Sequence, residues 1–229
     1  NSITVTSSID TTITAVFEPA TSDSAAIVIN EINYNSADDY DTRDWVELAN
    51  NGSGAINLSG WQFKDEDDSH VFVIPEQTIL ENGAFIVLAE DTAIFNEFFP
   101  GTGPVVGNLN FGFSGGGELI RLYDANGVFI DQVTYDDDDP WPAEADGEGP
   151  TLELINPSFD NSLPESWNYS SNLYGTPGVE NSIYQSLHTV NILPVPSDYV
   201  PRQNYPNPFN PRTVIQYEIP TQGLPLIHI

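Results

Sequence analysis

Carboxylates are the residues of this sequence whose types and spacing invite chemistry. Asp65, Asp67 and Asp68 crowd one short stretch, Asp136 to Asp139 a second, and Asp38, Asp39 and Asp41 a third. Calcium takes hard oxygen ligands from loops. Asp65, Asp67, Asp68, Asp136 and Asp138 are therefore the candidate metal ligands, and calcium is the candidate cofactor. The 65–68 turn has the better claim, because it lies between two strand-like runs, where a backbone already fixed lowers the cost of ordering ligands. No stretch follows an EF-hand loop, which needs glycine at its sixth position and glutamate at its twelfth. The plainer reading of all three is a set of solvated acidic loops. Trp141, between Pro140 and Pro142, is the tryptophan freest to act as a ligand-binding platform for a sugar ring. Trp45 and Trp61 fall within strand-like runs and read as core.

Catalysis finds little support. Of the three histidines, His188 lies in linker-like sequence and His228 in the irregular tail, and His70 has no Gly-x-Ser-x-Gly elbow to serve. Gly115, Gly116 and Gly117 precede a strand-like run with no lysine after them, which is a hairpin turn rather than a phosphate loop. With 34 acidic residues, carboxylate pairs arise by chance, so no pair is nominated for glycosidase work.

Charge bounds the partners. Five Lys and Arg residues stand against 34 Asp and Glu, a formal net charge of −29. Arg43, Lys64, Arg121, Arg202 and Arg212 are scattered, whereas phosphate binding needs clustered basic residues. Nucleic acid is not an expected partner. Membrane insertion is not expected either, since no apolar run approaches the length of a spanning helix. Without cysteine there are no disulfides or thiolate metal sites. The chain begins at Asn1 and contains no Met. It reads as an internal piece of a longer protein, so the lack of a signal peptide says nothing about export.

The elements that must position these residues are strands. Ile27 to Tyr34 and Asp44 to Leu48 are rich in β-branched and aromatic residues and carry polar side chains at alternate positions. Simple alternation puts Ile27, Ile29 and Glu31 on one face, and Trp45 and Glu47 on one face opposite Asp44, Val46 and Leu48. Each run holds a carboxylate between apolar neighbours, and burying such a group without a partner is costly. Glu31 and Glu47 therefore read as structural, paired with a backbone N–H or with Arg43 or Arg121. A third run spans Ile56 to Phe63. Further strands are expected over 71–74, 85–88, 119–123, 129–135 and 151–155, with an Asn126-Gly127 hairpin turn between two of them. Asp91 is placed to cap one short helix over 92–99, with Ile94, Phe95 and Phe98 as its buried stripe. Fold class is thus all-β, with one short helix.

These motifs, together and in order, carry a family resemblance. Asn30-Glu31-Ile32, Asp44-Trp45-Val46-Glu47-Leu48 and Ile56-Asn57-Leu58-Ser59-Gly60-Trp61-Gln62-Phe63 resemble a bacterial lamin tail domain. The likeness continues through Asn110 to Glu118, Asp131 to Tyr135, Thr151 to Leu154 and Gly175-Thr176-Pro177-Gly178, and covers residues 25–181. It implies an immunoglobulin-like antiparallel β-sandwich in which Glu31, Asp44, Trp45, Glu47 and Trp61 are structural. Residues 1–20 read as a hairpin ending a preceding domain, and resemble the close of a spore-coat-kinase-H-like or surface repeat module. A linker follows over 21–24, and another over 182–199. Tyr205-Pro206-Asn207-Pro208-Phe209-Asn210-Pro211 resembles the start of a type IX secretion C-terminal sorting domain. The pattern is not continued at the end of 200–229, which is expected to be a truncated, irregular tail.

Together these imply a non-catalytic accessory or attachment module of a secreted or cell-surface bacterial protein. Its expected partners are neighbouring domains of the same polypeptide, or an extracellular polysaccharide or protein. A calcium-assisted carbohydrate-binding module is the alternative.

Overall fold

The computed structural model describes residues 26–186 and the short segments 200–201 and 217–218. The hairpin and linker expected over 1–24, and most of the second linker and the tail, lie outside the described residues. Residues 26–186 form one compact unit.

The unit is built on β1 (Ile27–Asn33) and β2 (Trp45–Asn50), which pair antiparallel. Ten further strands follow in chain order. They are β3 (Ile56–Asn57), β4 (Gln62–Lys64), β5 (Phe72–Val73), β6 (Ile79–Leu80), β7 (Phe85–Ala89), β8 (Val105–Gly107), β9 (Glu118–Tyr123), β10 (Phe129–Tyr135), β11 (Leu152–Leu154) and β12 (Trp167–Tyr169). A six-stranded sheet runs β12-β11-β1-β2-β7-β8 and a four-stranded sheet β10-β9-β4-β5, with β3 and β6 forming a small separate ladder. Among the described residues every pairing is antiparallel except β7 with β8. This is the all-β, immunoglobulin-like sandwich with one helix that the sequence predicts.

Alternation fails at one place in β1. Register slips between Ile29 and Glu31, so Asn30 is an extra residue opposite β2. Ile27, Ile29 and Ile32 thereby turn toward the second sheet with Val46 and Leu48, and join Phe63, Ile120, Leu122 and Val133 in the main core. Glu31 does not share the face of Ile27 and Ile29. The bulge throws it to the other side, opposite Glu47. The run Ile56–Phe63 is also two strands, not one. Asn57 accepts the Ser59 N–H, Gly60 takes φ 77°, and the chain crosses from the small ladder into the four-stranded sheet.

On the far face of the six-stranded sheet, Trp45, Val87 and Ala89 are covered by Phe95 of α1 (Thr92–Phe98). Asp91 caps this helix, accepting the N–H groups of Ala93 and Ile94. Phe95 alone of its expected stripe is buried, and Ile94 and Phe98 are half-buried. A seven-residue helix turns only one narrow edge to the sheet. Among the described residues no helix is long and apolar enough to cross a membrane. Outside this unit, β13 (Val200–Pro201) pairs antiparallel with β14 (Tyr217–Glu218).

Candidate functional site

Three sets of carboxylates result. The first lines an open cleft of about 490 Å³ at the loop-rich end of the unit, where the 34–44 loop meets Glu90 and the 112–115 loop. Asp38, Asp41, Asp44 and Glu90 line it, with Arg43 and Tyr34. Arg43 is held by Asp41 at 3.3 Å. Asp44 leaves the β2 entrance to accept the Phe113 N–H at 2.6 Å, which fastens the 112–115 loop. Burial pushes the Asp44 carboxyl up to about 7, opposed by that N–H and reinforced by Glu90. The Tyr34 hydroxyl is buried and has no hydrogen-bond partner among the described residues. Burial raises its pKa, and Asp146, Asp137 and Asp136 raise it further.

The second set is the turns. Asp65 is buried. It accepts the Asp67 N–H at 2.8 Å and meets His70 Nδ1 at 2.6 Å. Asp67 caps Ser69, and Asp68 pairs with Arg121 at 3.0 Å, whose guanidinium also donates to the Asp65 carbonyl. Asp65, Asp67 and Asp68 are thus committed separately and do not converge on an ion. The side chains of this turn close it themselves. Asp136, Asp137 and Asp138 do converge, each offering an oxygen within 4.8 Å of the others. Asp136 and Asp138 are exposed, and Asp136 already caps the Asp138 N–H. Trp141 is 8% exposed and packs 6.2 Å from Trp167, so it offers no platform to a sugar. Trp45 and Trp61 are buried.

The third set was only half visible. Glu31 pairs across the sheet with Glu47 on β2 and with Glu153 on β11, and all three have 0% exposure. They form a row across three adjacent strands. A strap over residues 174–183 closes it. Glu31 Oε1 accepts the Thr176 N–H at 2.9 Å and the Thr151 hydroxyl at 2.5 Å. Glu47 Oε2 accepts the Gly178 N–H at 2.5 Å, and its Oε1 the Asn30 amide at 2.9 Å. Glu153 takes the Thr176 and Ser182 hydroxyls and the Ile183 N–H. A Cβ on Gly175 would run into Glu31 Oε1 and Thr151, so the strap's approach requires glycine. Backbone N–H partners are present, but Arg43 and Arg121 are not: they serve Asp41 and the 65–68 turn. Burial, then Glu47 and Glu153, raise the Glu31 carboxyl well above its ordinary value. Burial pushes Glu47 up to about 8 against the Gly178 and Asn30 donors.

Sequence reasoning missed Glu153, Asn30, Thr176 and Asn181. One signal existed: Leu152-Glu153-Leu154 repeats the lone carboxylate between apolar residues seen in Val46-Glu47-Leu48.

The family model for the Lamin Tail Domain matches residues 20–137, just over half of the chain. No curated protein matches. Among solved structures, a DUF4876 family protein from Bacteroides thetaiotaomicron VPI-5482 is similar over 72% of this chain and 73% of its own. Identity to it is 11% and the TM-score 0.41.

Proposed function

The chain belongs to the lamin tail domain family, whose immunoglobulin-like sandwich is a non-enzymatic scaffold, and from that premise we propose that it is an accessory attachment module of a secreted or cell-surface protein. It holds neighbouring domains of the same polypeptide to each other or to an extracellular protein or polysaccharide. The observation that carries this reading is the open acidic cleft at the loop end. It places Asp38, Asp41, Asp44 and Glu90 on loops anchored to a stiff sandwich, which is where binding residues concentrate. Its charge suits a cationic or hydroxyl-rich contact and repels polyphosphate.

The test uses the full-length polypeptide with and without residues 20–186, and with Asp38→Lys/Asp41→Lys in the cleft. Loss of surface retention in both variants, with the flanking domains' activity per molecule unchanged, supports attachment through the cleft. Retention that survives the deletion overturns it. Glycan arrays with and without calcium address the carbohydrate alternative. Saturable, calcium-dependent binding of one polysaccharide would favour the carbohydrate-binding alternative over attachment to a protein or a neighbouring domain.

A further inference from the structure

We propose that the outer face of the four-stranded sheet, centred on Tyr123, Phe129, Gln62 and Lys64, binds a polysaccharide that carries uronic-acid carboxylates at intervals along its chain. The face does not include the acidic cleft and needs no metal.

Register decides which residues share this face. Phe129 on β10 stands opposite Tyr123 on β9, Tyr123 opposite Gln62 on β4, and Gln62 opposite Val73 on β5. Directly opposed residues project to one side of a sheet. That side is the outer one: the neighbours Phe63 and Leu122 point into the core, whereas Phe129 is 50% and Val73 55% exposed. With strands about 4.8 Å apart, the row runs about 14 Å across the sheet. Gln132, Arg121 and Lys64 form the next row beside it. On the six-stranded sheet, by contrast, Phe95 of α1 covers Trp45 and the strap covers Glu31.

Charge distinguishes the face from the rest of the surface. β4, β5, β9 and β10 hold two carboxylates, and both turn away from it. Glu118 accepts the Ser114 N–H and the Tyr135 hydroxyl, and Asp131 accepts the Ile29 N–H and the Asn161 amide. In a chain with 34 acidic residues, the outward positions of these strands carry none. Arg121 is closed on Asp68 and on the Asp65 carbonyl. Arg43 is held by Asp41, so among the described residues Lys64 is the one lysine or arginine without a carboxylate partner. Its Nζ lies 5.4 Å over the Tyr123 ring, and that ring meets Phe129 edge to face at 6.0 Å. Cation and aromatic rings thus make one continuous surface.

Aromatic rings offer an apolar body to the C–H faces of sugars, and the Gln62 and Gln132 amides donate to and accept from hydroxyls. Lys64 offers a charged donor to a carboxylate. A single unpaired cation suits a ligand charged at intervals. An acidic peptide or a polyphosphate, charged at every repeat, brings more negative charge than this face can answer to a molecule of −29.

The experiment uses the whole 229-residue chain in EDTA at physiological salt. EDTA sets this face apart from the calcium-assisted reading. Calorimetry follows binding of hyaluronan and glucuronoxylan oligosaccharides, which space uronates among neutral sugars, and of the same oligosaccharides with their carboxyls reduced to alcohols. The wild type is expected to bind one carboxylated sugar about tenfold more tightly than its reduced form, the worth of one charged hydrogen bond. Lys64→Gln abolishes that difference, and Phe129→Ala weakens binding of both forms. Thermal melting verifies that both variants fold. Asp38→Lys/Asp41→Lys keeps the difference, whatever becomes of attachment through the cleft. Failure of every sugar to bind overturns the proposal, as does a preference for the carboxylated form that survives Lys64→Gln. Binding of polyglutamate through Lys64 in place of the sugars overturns it too, and makes the partner an acidic protein.

Discussion

Glu31 of β1 and Glu47 of β2 carry the same group as Asp67, Asp124 and Asp160 of the turns, and the acidities of the two sets move in opposite directions. Glu31 and Glu47 are raised, first by burial. Asp67, Asp124 and Asp160 are lowered. Asp67 answers first to the Ser69 N–H, Asp124 to the Val128 N–H and Asp160 to the Ser162 hydroxyl. Hydrogen-bond donors are present in both places, so donors are not the difference. Water is. An exposed aspartate that gains one N–H keeps its hydration, whereas a glutamate under the strap exchanges hydration for a few fixed donors and two like-charged neighbours. A net charge of −29 is therefore two problems: a dilute one at the surface, screened by salt, and a concentrated one inside.

The largest predicted effect breaks the strap from its row. Gly175 has φ 83°, and a Cβ there would overlap Glu31 Oε1 and Thr151. Gly175→Ala is expected to cost about 4 kcal/mol, combining backbone strain with overpacking. Denaturant midpoints measure it, and amide exchange over 174–183 shows whether the strap is what opens. A change below about 1 kcal/mol would mean that the strap does not hold the sheet.

The next effect sets inside against outside within one loop. Trp141 lies on the loop of Asp136–Asp138, yet it is buried against Trp167. Trp141→Ala is expected to destabilise by about 3 kcal/mol, the lower end for a large aromatic, since the loop can partly collapse. Thermal melting reads this. A neutral substitution accompanied by lost glycan binding would restore the platform that the structure removes.

A third effect separates the two carboxylate sets by pH. Glu47 ionises at about 8 in the folded protein against an ordinary 4.5, so between those values the folded state holds more protons than the unfolded chain. Its contribution is present at low pH and lost as pH rises through 8. Asp44, pushed up to about 7, and Asp131, to about 6, act in the same sense. In EDTA-treated protein, stability is expected to fall by about 2 kcal/mol from pH 5 to pH 8, discounted for the coupling of Glu47 with its neighbours. The lowered turn aspartates act in the opposite sense and only in acid. A melting profile rising from pH 5 to pH 8 would show that the row is ionised and paired with something else.

Much of the fold was legible because it is written locally. The β1 and β2 runs, the Asp91 cap and the Asn126-Gly127 turn each depend on a few consecutive residues. The row was legible only in part. Glu31 and Glu47 announce themselves as carboxylates inside apolar runs, but what faces them comes from far along the chain. Thr151 and Thr176 stand 120 and 145 residues from Glu31. The bulge at Asn30 was invisible for another reason: Asn in a strand reads as one more polar position, and only pairing with β2 reveals that it is extra. Trp141 misled because flanking prolines describe backbone stiffness and not the direction of the ring.

The smallest effect tests the outer half of the comparison. Asp136 and Asp138 are exposed, and Asp136 Oδ1 caps the Asp138 N–H at 3.1 Å. Asparagine keeps that acceptor, so Asp136→Asn/Asp138→Asn removes charge and little else. Exposed charges lie in water with a Debye length of about 8 Å at physiological salt, and substitutions of this kind fall within about 0.5 kcal/mol of neutral. The sign is set by repulsion: relieving it stabilises slightly, and the gain shrinks as sodium chloride is added. The measurement is Tm at low and high salt for wild type and variant. A gain of a few tenths of a kcal/mol that disappears in salt places these aspartates in solvent. A loss above about 1 kcal/mol, insensitive to salt, would mean that the outer carboxylates are as firmly engaged as the inner ones, and that water is not what distinguishes the two sets.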